Sequence, residues 1–239
     1  MAVAVDIKDL LQAGAHFGHK TSRWHPKMGQ YIHSKRAGSH IIDLTKTVEG
    51  LEAALPFITK SVASGKQVLF VGTKRQAKDI VRAAAEEVKM PFVTERWMGG
   101  MLTNVATTSA RIKHLKSLES RMLSGELAGR YNKLEIQRFQ EEIDLLNQKY
   151  GGIKDLNGQP GVVFVTDVVA DENAVKEARR LKVPVVAIVD TNADPAMADY
   201  VIPANDDAIK SLQLITDYVK QAVAEGVASR KGAGDKKGE

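Results

Sequence analysis

Short apolar runs alternate with segments of helical periodicity along most of the chain. QVLFVG, GVVFVTD and VPVVAIVD are almost wholly apolar, and PFVTE and YVIP are shorter runs of the same kind. Strands that are apolar on both faces, with helices between them, are typical of a parallel sheet covered on both sides. The pattern predicts an α/β protein of Rossmann-like or flavodoxin-like type. The predicted helices cover 74–89, 171–181 and 207–227.

The alternation stops between Asn104 and Gly151, where a heptad pattern replaces it. Two segments with 3-4 spacing flank SGELAGRYN, whose glycines suit a turn. We predict two antiparallel helices forming a coiled-coil hairpin inserted into the sheet domain. Packing of both segments against the body would give the same spacing, and that alternative stays open. The seam positions are Val105, Thr108, Ile112, Leu115, Glu119 and Met122, then Ile136, Phe139, Ile143, Leu146 and Tyr150.

These patterns divide the chain into three parts. Residues 1–104 and 151–226 form the predicted α/β domain, and 105–150 form the hairpin. The chain ends in SRKGAGDKKGE, which is rich in glycine and lysine and has no apolar anchor. Such a composition predicts a disordered basic tail over 227–239.

Composition narrows the classes of function. The chain has no cysteine, which excludes disulfides, thiolate catalysis and cysteine-based metal sites. It has no apolar run of about 18 residues and no signal-peptide pattern at its start, so we expect a cytoplasmic protein without a membrane span. The net charge of +5 indicates an anionic partner only weakly until the charges are mapped along the chain.

The charges are strongly segregated. Leu10–Ile42 contains five Lys and Arg residues and no acid, and Arg96–Leu118 contains four and no acid. Phe164–Asp207 contains nine acids against four bases. We therefore expect one surface that meets polyanions and another that repels them.

The segment HFGHKTSRWHPKMGQYIHSKRAGSH holds five of the six histidines. A zinc site is disfavoured because no HExxH pattern and no nearby carboxylate completes it. Trp24-His25-Pro26 is better interpreted as a packed turn, with the surrounding side chains meeting phosphates. A solvated basic loop is the alternative. The candidate RNA contacts here are His16, His19, Lys20, Arg23, Trp24, His25, Lys27, Lys35 and Arg36.

Two further motifs are weaker signals for an anion site. VLFVGTKRQA is a strand, turn and helix start, but it has neither GxxxxGK[ST] nor GxGxxG. ERWMGGMLTN carries a double glycine that allows close approach of the backbone, either to RNA or within the protein core. The candidate RNA contacts of these segments and of the following helix are Lys74, Arg75, Arg96, Arg111, Lys113 and Lys116.

Acids follow several predicted strands. Asp167, Asp190 and Asp206 lie where α/β folds bind ligands, at the carboxyl edge of the sheet. Asp190, Asp206 and Asp207 are candidate ligands for a structural Mg²⁺ or Zn²⁺ ion, although a chance crevice with helix caps is the stronger explanation of these acids. No catalytic arrangement and no other cofactor site is evident.

The motifs taken together resemble the bacterial small-subunit ribosomal protein two family. The resemblance covers about Ile7 to Val223 and rests on HFGHKTSRWHPKMGQYI, VLFVGTKRQA, ERWMGGMLTN, DVVADENAVKEARRLKVPVVAIVDTNADP and ANDDAIKSLQLI. It implies a flavodoxin-like domain with a coiled-coil hairpin. It also implies a non-enzymatic role in translation: binding small-subunit ribosomal RNA near the head–body junction and helping to dock small-subunit protein one, which captures messenger RNA.

The acidic edge is the natural place for a protein partner, because its charge repels RNA phosphates. We therefore assign Asp190, Asp206 and Asp207 to the docking of small-subunit protein one. Two other functions stay possible on the residues alone. A nucleotide-binding enzyme would require a glycine fingerprint, which is absent. A protein-only adaptor acting through the hairpin would have no affinity for RNA.

Overall fold

The computed structural model describes residues 5–235, and a five-stranded parallel sheet lies at its centre. The strand order is β5-β4-β6-β7-β8. Every residue of β4, β6 and β7 is buried, as expected for strands covered on both faces. This confirms the predicted α/β, flavodoxin-like class. The strands are β4 (Val68–Val71), β5 (Phe92–Val93), β6 (Val162–Val165), β7 (Val185–Val189) and β8 (Tyr200–Pro203).

Helices cover the sheet on two sides, and successive strand residues point alternately into two apolar cores. Phe70 and Phe164 belong to one core, while Leu69 and Val163 belong to the other. The first core is closed by α2 (Leu44–Ala63), α3 (Lys78–Glu87) and α8 (Ile209–Asp235), and the second by α7 (Glu172–Arg180). A short helix, α1 (Ile7–Gln12), precedes them.

Helix α2 and a small N-terminal sheet were not predicted from the sequence. Gly50 and Pro56 interrupt the helical pattern of α2, yet Gly50 lets the helix lie directly on the backbone of β8, where a Cβ would meet the Val201 carbonyl oxygen. The small sheet is antiparallel, in the order β1-β3-β2, and Ala37-Gly38 makes its tight turn with positive φ angles. Its strands are β1 (Phe17–Lys20), β2 (Ile32–Arg36) and β3 (Ser39–Ile42).

The segment between β5 and β6 is helical. It contains α4 (Val105–Leu123), α5 (Glu126–Arg130) and α6 (Lys133–Tyr150). Helices α4 and α6 pack on each other through a small apolar cluster made of predicted seam residues and Leu118. The hairpin as a separate coiled-coil unit stays a prediction. The four buried members of the cluster are Leu115, Leu118, Ile143 and Leu146.

The independence of this helical pair can be tested by cavity formation. Leu115 is fully buried between α4 and α6, so Leu115→Ala is expected to cost about 3 kcal/mol. Amide hydrogen exchange should then rise across 105–150 and stay slow in β6 and β7. Leu134→Ala is the matched control, because Leu134 is exposed. Equal loss of protection in the strands would show that the pair belongs to the main core.

The chain end departs from the sequence prediction. Helix α8 continues to Asp235, past the predicted start of the tail at residue 227. Packing accounts for this extension as far as residue 230: Val227 lies against the first core and the guanidinium of Arg230 lies over Gly65. Residues 236–239 of the predicted tail lie outside the described part of the chain. Within residues 5–235, no helix is both long enough and apolar enough to span a membrane.

Candidate nucleic-acid interface and acidic edge

The carboxyl edge of the parallel sheet carries a network of charges around Lys74. Its ammonium lies 2.7 Å from Asp206 Oδ1, 2.7 Å from Asp207 Oδ1 and 3.2 Å from Asp167 Oδ2. Burial by itself would lower the pKa of Lys74, but the hydrogen bonds to Asp206 and Asp207 outweigh it and the pKa is raised. Acids of the same chain therefore neutralise the charge of Lys74, which was predicted to contact RNA.

His19 connects the histidine-rich segment to the same network. Its Nδ1 lies 3.1 Å from Asp190 Oδ2 and its Nε2 lies 3.5 Å from Asp207 Oδ2. The hydrogen bond to Asp190 is the main reason that the pKa of His19 is raised. Gly18 permits this approach, because a Cβ there would lie 2.6 Å from Thr191 Cγ2. His19 therefore pairs with acids of the sheet edge.

The acids of this edge are mostly turned inward. Asp190 and Asp206 are each 1% exposed, whereas the side chain of Asp207 is 51% exposed. Burial, followed by the charges of Asp167 and Asp190, raises the pKa of Asp206 to about 7. Burial also raises the pKa of Asp171 to about 6, although Thr73 donates to it through N–H and O–H. A partner protein can reach Asp207 but not Asp190 or Asp206.

The same edge contains the group best able to hold a metal ion in the described part of the chain. Ligand atoms of His19, Asp206 and Asp207 lie within 4.8 Å of one another. One imidazole and two carboxylates suit Zn²⁺, whereas Mg²⁺ takes oxygen ligands and would use the carboxylates alone. However, Lys74 already supplies a positive charge to both carboxylates. A divalent ion would have to displace the ammonium, and its binding here, with Asp190 as a further ligand, stays a prediction.

Three of the other four histidines of the segment make contacts within the fold, whereas His33 is exposed. The Trp24 and His40 rings lie 5.2 Å apart, and burial lowers the pKa of His40. Burial likewise lowers the pKa of His16, whose ring lies 4.0 Å from that of Phe17. The backbone N–H of His25 donates to the Thr191 carbonyl at 2.7 Å. These contacts agree with the predicted packed turn at Trp24-His25-Pro26.

Most of the predicted cationic contacts point into solvent. Lys27 lies 2.8 Å from Asp194 and Lys116 lies 3.4 Å from Asp155, so these two have partners within the chain. Apart from Lys74, the remaining eight cations are exposed and, among residues 5–235, have no ion pair with a carboxylate. They are Lys20, Arg23, Lys35, Arg36, Arg75, Arg96, Arg111 and Lys113.

Two of these cations are placed together by the small sheet. Lys20 of β1 and Arg36 of β2 both face Ser39 of the central strand β3 in register. Residues opposite one another across a sheet share a face, and strands are spaced by about 4.8 Å, so the two Cα atoms lie about 10 Å apart. The pair forms an open cationic platform with a hydroxyl between its members.

Comparison with known proteins identifies the family. The model of the family described as ribosomal protein S2 matches residues 10–226. The chain belongs to the ribosomal protein S2 family. Proteins named small ribosomal subunit protein uS2 are 47% identical over 98% of this chain in Bifidobacterium longum strain DJO10A, 47% over 97% in Coprothermobacter proteolyticus and 48% over 100% in Nocardia farcinica. The matches cover 84%, 86% and 84% of those relatives. The family is structural and non-enzymatic, which confirms the prediction that the chain is not an enzyme.

One residue that organises the glycine motif of this S2-family chain was missed in the sequence. Both carboxylate oxygens of Glu177 accept hydrogen bonds from the loop 97–103. Its donors are Trp97 Nε1 at 3.0 Å, Gly100 N at 2.7 Å, Leu102 N at 3.0 Å, and Thr103 N and Oγ1, each at 3.1 Å. Burial would raise the pKa of Glu177, but these donors lower it below its ordinary value.

This arrangement supports the interpretation of the glycine motif as part of the protein core. Close approach of RNA to the motif stays a prediction. Met101 and Leu102 are buried in the second core, and Gly100 adopts a φ of 84°, a conformation that suits glycine. Arg96 remains exposed beside the loop. No local signal reveals Glu177, because its partners lie 74 to 80 residues away.

Proposed function

We propose that this chain is a constituent of the small subunit of cytoplasmic ribosomes and binds small-subunit ribosomal RNA through its exposed cations. The observation that carries the proposal is the contrast between two sets of charges. Eight predicted cationic contacts are exposed without an ion pair in the described residues, whereas the acids of the sheet edge are largely paired inward. Free cations on an exposed surface are what phosphate contacts require.

The small N-terminal sheet is the centre of the proposed interface. Lys20 and Arg36 flank Ser39 on one face, and Arg23 and Lys35 lie in the adjoining 3₁₀ turn and strand. Contacts of this kind position a protein on RNA without reading its sequence. Arg96, beside the rigid glycine loop, extends the surface.

Removing the four cations of the small sheet should weaken the salt dependence of RNA binding. Replacement of Lys20, Arg23, Lys35 and Arg36 by glutamine removes up to four phosphate partners. The slope of log affinity against log salt should fall in magnitude by about 3–4. Filter binding of small-subunit ribosomal RNA to the full chain, at several salt concentrations, measures this slope.

Lys27→Gln is the matched control for this experiment. Lys27 lies in the same segment but its ammonium already pairs with Asp194, so its loss should change the slope by much less than one. An unchanged slope for the fourfold variant would place the RNA interface elsewhere on the chain.

The same proposal includes a role in docking small-subunit protein one at the acidic edge. The support is the acid-rich composition of Phe164–Asp207, which disfavours RNA there, and the exposure of Asp207. Asp190 and Asp206 contribute through the charge of the network and through its shape, since both are buried.

Loss of the exposed carboxylate should release that partner. Small subunits carrying Asp207→Asn should still contain this chain but lose small-subunit protein one, more readily as salt rises, because exposed ion pairs are weak and screened. Asp79→Asn, at an exposed acid on α3, is the control. Normal retention of the partner by Asp207→Asn subunits in high salt would contradict this role.

A further inference from the structure

A second surface lies at the opposite end of the sheet from the acidic edge. Where β4 and β5 begin and α2 and α3 end, the surface contains a groove of about 550 Å³. Its apolar residues are aliphatic, and three cations line it: Lys66, Lys89 and Arg230. The apolar lining residues are Val62, Val88, Met90 and Val227.

The groove carries an excess of positive charge. All three cations are exposed and none has an ion pair within the part of the chain that the structure describes. The ends of α2 and α3 contribute partial negative charge, each equivalent to roughly half a charge. Three full positive charges therefore exceed what the helix ends neutralise by about two charges.

We propose that this groove binds an acidic segment of a neighbouring small-subunit protein, with an aliphatic side chain of that segment on the groove floor. The positive charge of the groove favours an anionic partner, and its aliphatic lining favours a peptide over RNA. Among the residues that the structure describes, no aromatic side chain lines the groove, whereas single-stranded RNA is held by stacking on aromatic rings. A chain of phosphates would leave the aliphatic floor of the groove exposed to water. A leucine between carboxylates would cover that floor while the carboxylates pair with the cations. The volume lies in the range of sites for small ligands.

The test uses three fluorescein-labelled probes and the full chain. The first is a peptide with two leucines between pairs of aspartates, the second has serines in place of the leucines, and the third is an oligouridylate carrying the same charge. Fluorescence anisotropy should show the leucine peptide binding more tightly than the other two. The double variant Lys66→Glu with Lys89→Glu should weaken its binding about tenfold.

A matched double variant separates the groove from general charge. Lys182→Glu with Lys210→Glu changes the net charge by the same amount, and Lys182, like Lys89, has a positive φ. It should change the affinity less than about twofold. Equal binding of the serine peptide, equal or tighter binding of the oligouridylate, equal effects of the two double variants, or no binding at about 1 mM peptide would each overturn the proposal.

A photo-crosslink tests the site in the assembled particle. Benzoylphenylalanine in place of Ser229, which is exposed and adjoins Arg230, should crosslink in small subunits to a protein segment containing aspartate or glutamate next to an aliphatic residue. Crosslinking to ribosomal RNA, to a segment without acids, or to nothing would overturn the proposal. Because RNA binding by the small sheet is measured separately through its salt slope, either result can fail without the other.

Discussion

Replacing Lys74 by methionine is expected to lower the free energy of unfolding near pH 7 by about 3 kcal/mol. The ammonium lies against carboxylates of Asp167, Asp206 and Asp207. Methionine preserves much of the length but not the charge, so buried acids lose their cation. Loss of one partner from a buried ion pair costs about 3–5 kcal/mol, and the exposure of Asp207 places this network at the lower end. Urea denaturation measures the change.

The loss should grow as pH rises from about 6 to about 8. Asp206 has a pKa of about 7 in the folded chain against an ordinary value of 3.8. The folded state therefore holds a proton that the unfolded state has released, and the stability of the unaltered chain falls as pH rises from about 4 to about 7. Lys74 is one of the groups that lower the pKa of Asp206, so its removal raises that pKa further and enlarges the cost above pH 7.

Two variants make this result specific. Arg75→Met removes an exposed cation that has no ion pair in the described residues and should change stability by about 0.5 kcal/mol or less. Lys74→Arg keeps the charge and should recover part of the loss. If the loss of unfolding free energy in Lys74→Met were the same at about pH 6 and about pH 8, the unpaired carboxylates would not be its cause.

Replacing Glu177 by alanine should release the loop that carries the glycine motif. Five donors of the loop 97–103 lose an ionised acceptor. Hydrogen bonds to charged groups contribute about 1.5–3 kcal/mol each, but water replaces part of them here because Glu177 is only half buried. We expect a net loss of about 3 kcal/mol, with faster amide exchange at Gly100, Leu102 and Thr103.

The control lies on the same helix. Glu172→Ala removes an exposed carboxylate whose ion pair is with Lys176, and it should cost about 0.5 kcal/mol. Glu177→Gln keeps one acceptor oxygen and should fall between the two. Under the proposed function, Glu177→Ala should also weaken RNA binding through Arg96. Unchanged exchange in the loop would show that the buried residues Trp97 and Met101 hold it without Glu177.

The parallel sheet was predictable because its signal is local. Strands such as Val68–Val71 and Val185–Val189 are buried on both faces, so they need apolar residues at every position whatever their neighbours are. The seam pattern likewise named Leu115, Ile143 and Leu146, which pack together in the structure. Helix α2 escaped prediction because its proline and glycine contradict local propensity, and packing on β8 overrides them.

The amino-acid sequence by itself determined the α/β class, the segregation of charge and, through its motifs, the family. Each follows from residue types and their order along the chain. Only the tertiary structure decided which charges are free. Lys74 meets Asp206 across 132 positions, Lys27 meets Asp194 across 167, and Glu177 reaches a loop some 75 positions earlier. A charge's partner depends on where the folded backbone brings two distant segments together, and Coulomb and hydrogen-bond energies fall steeply with that distance.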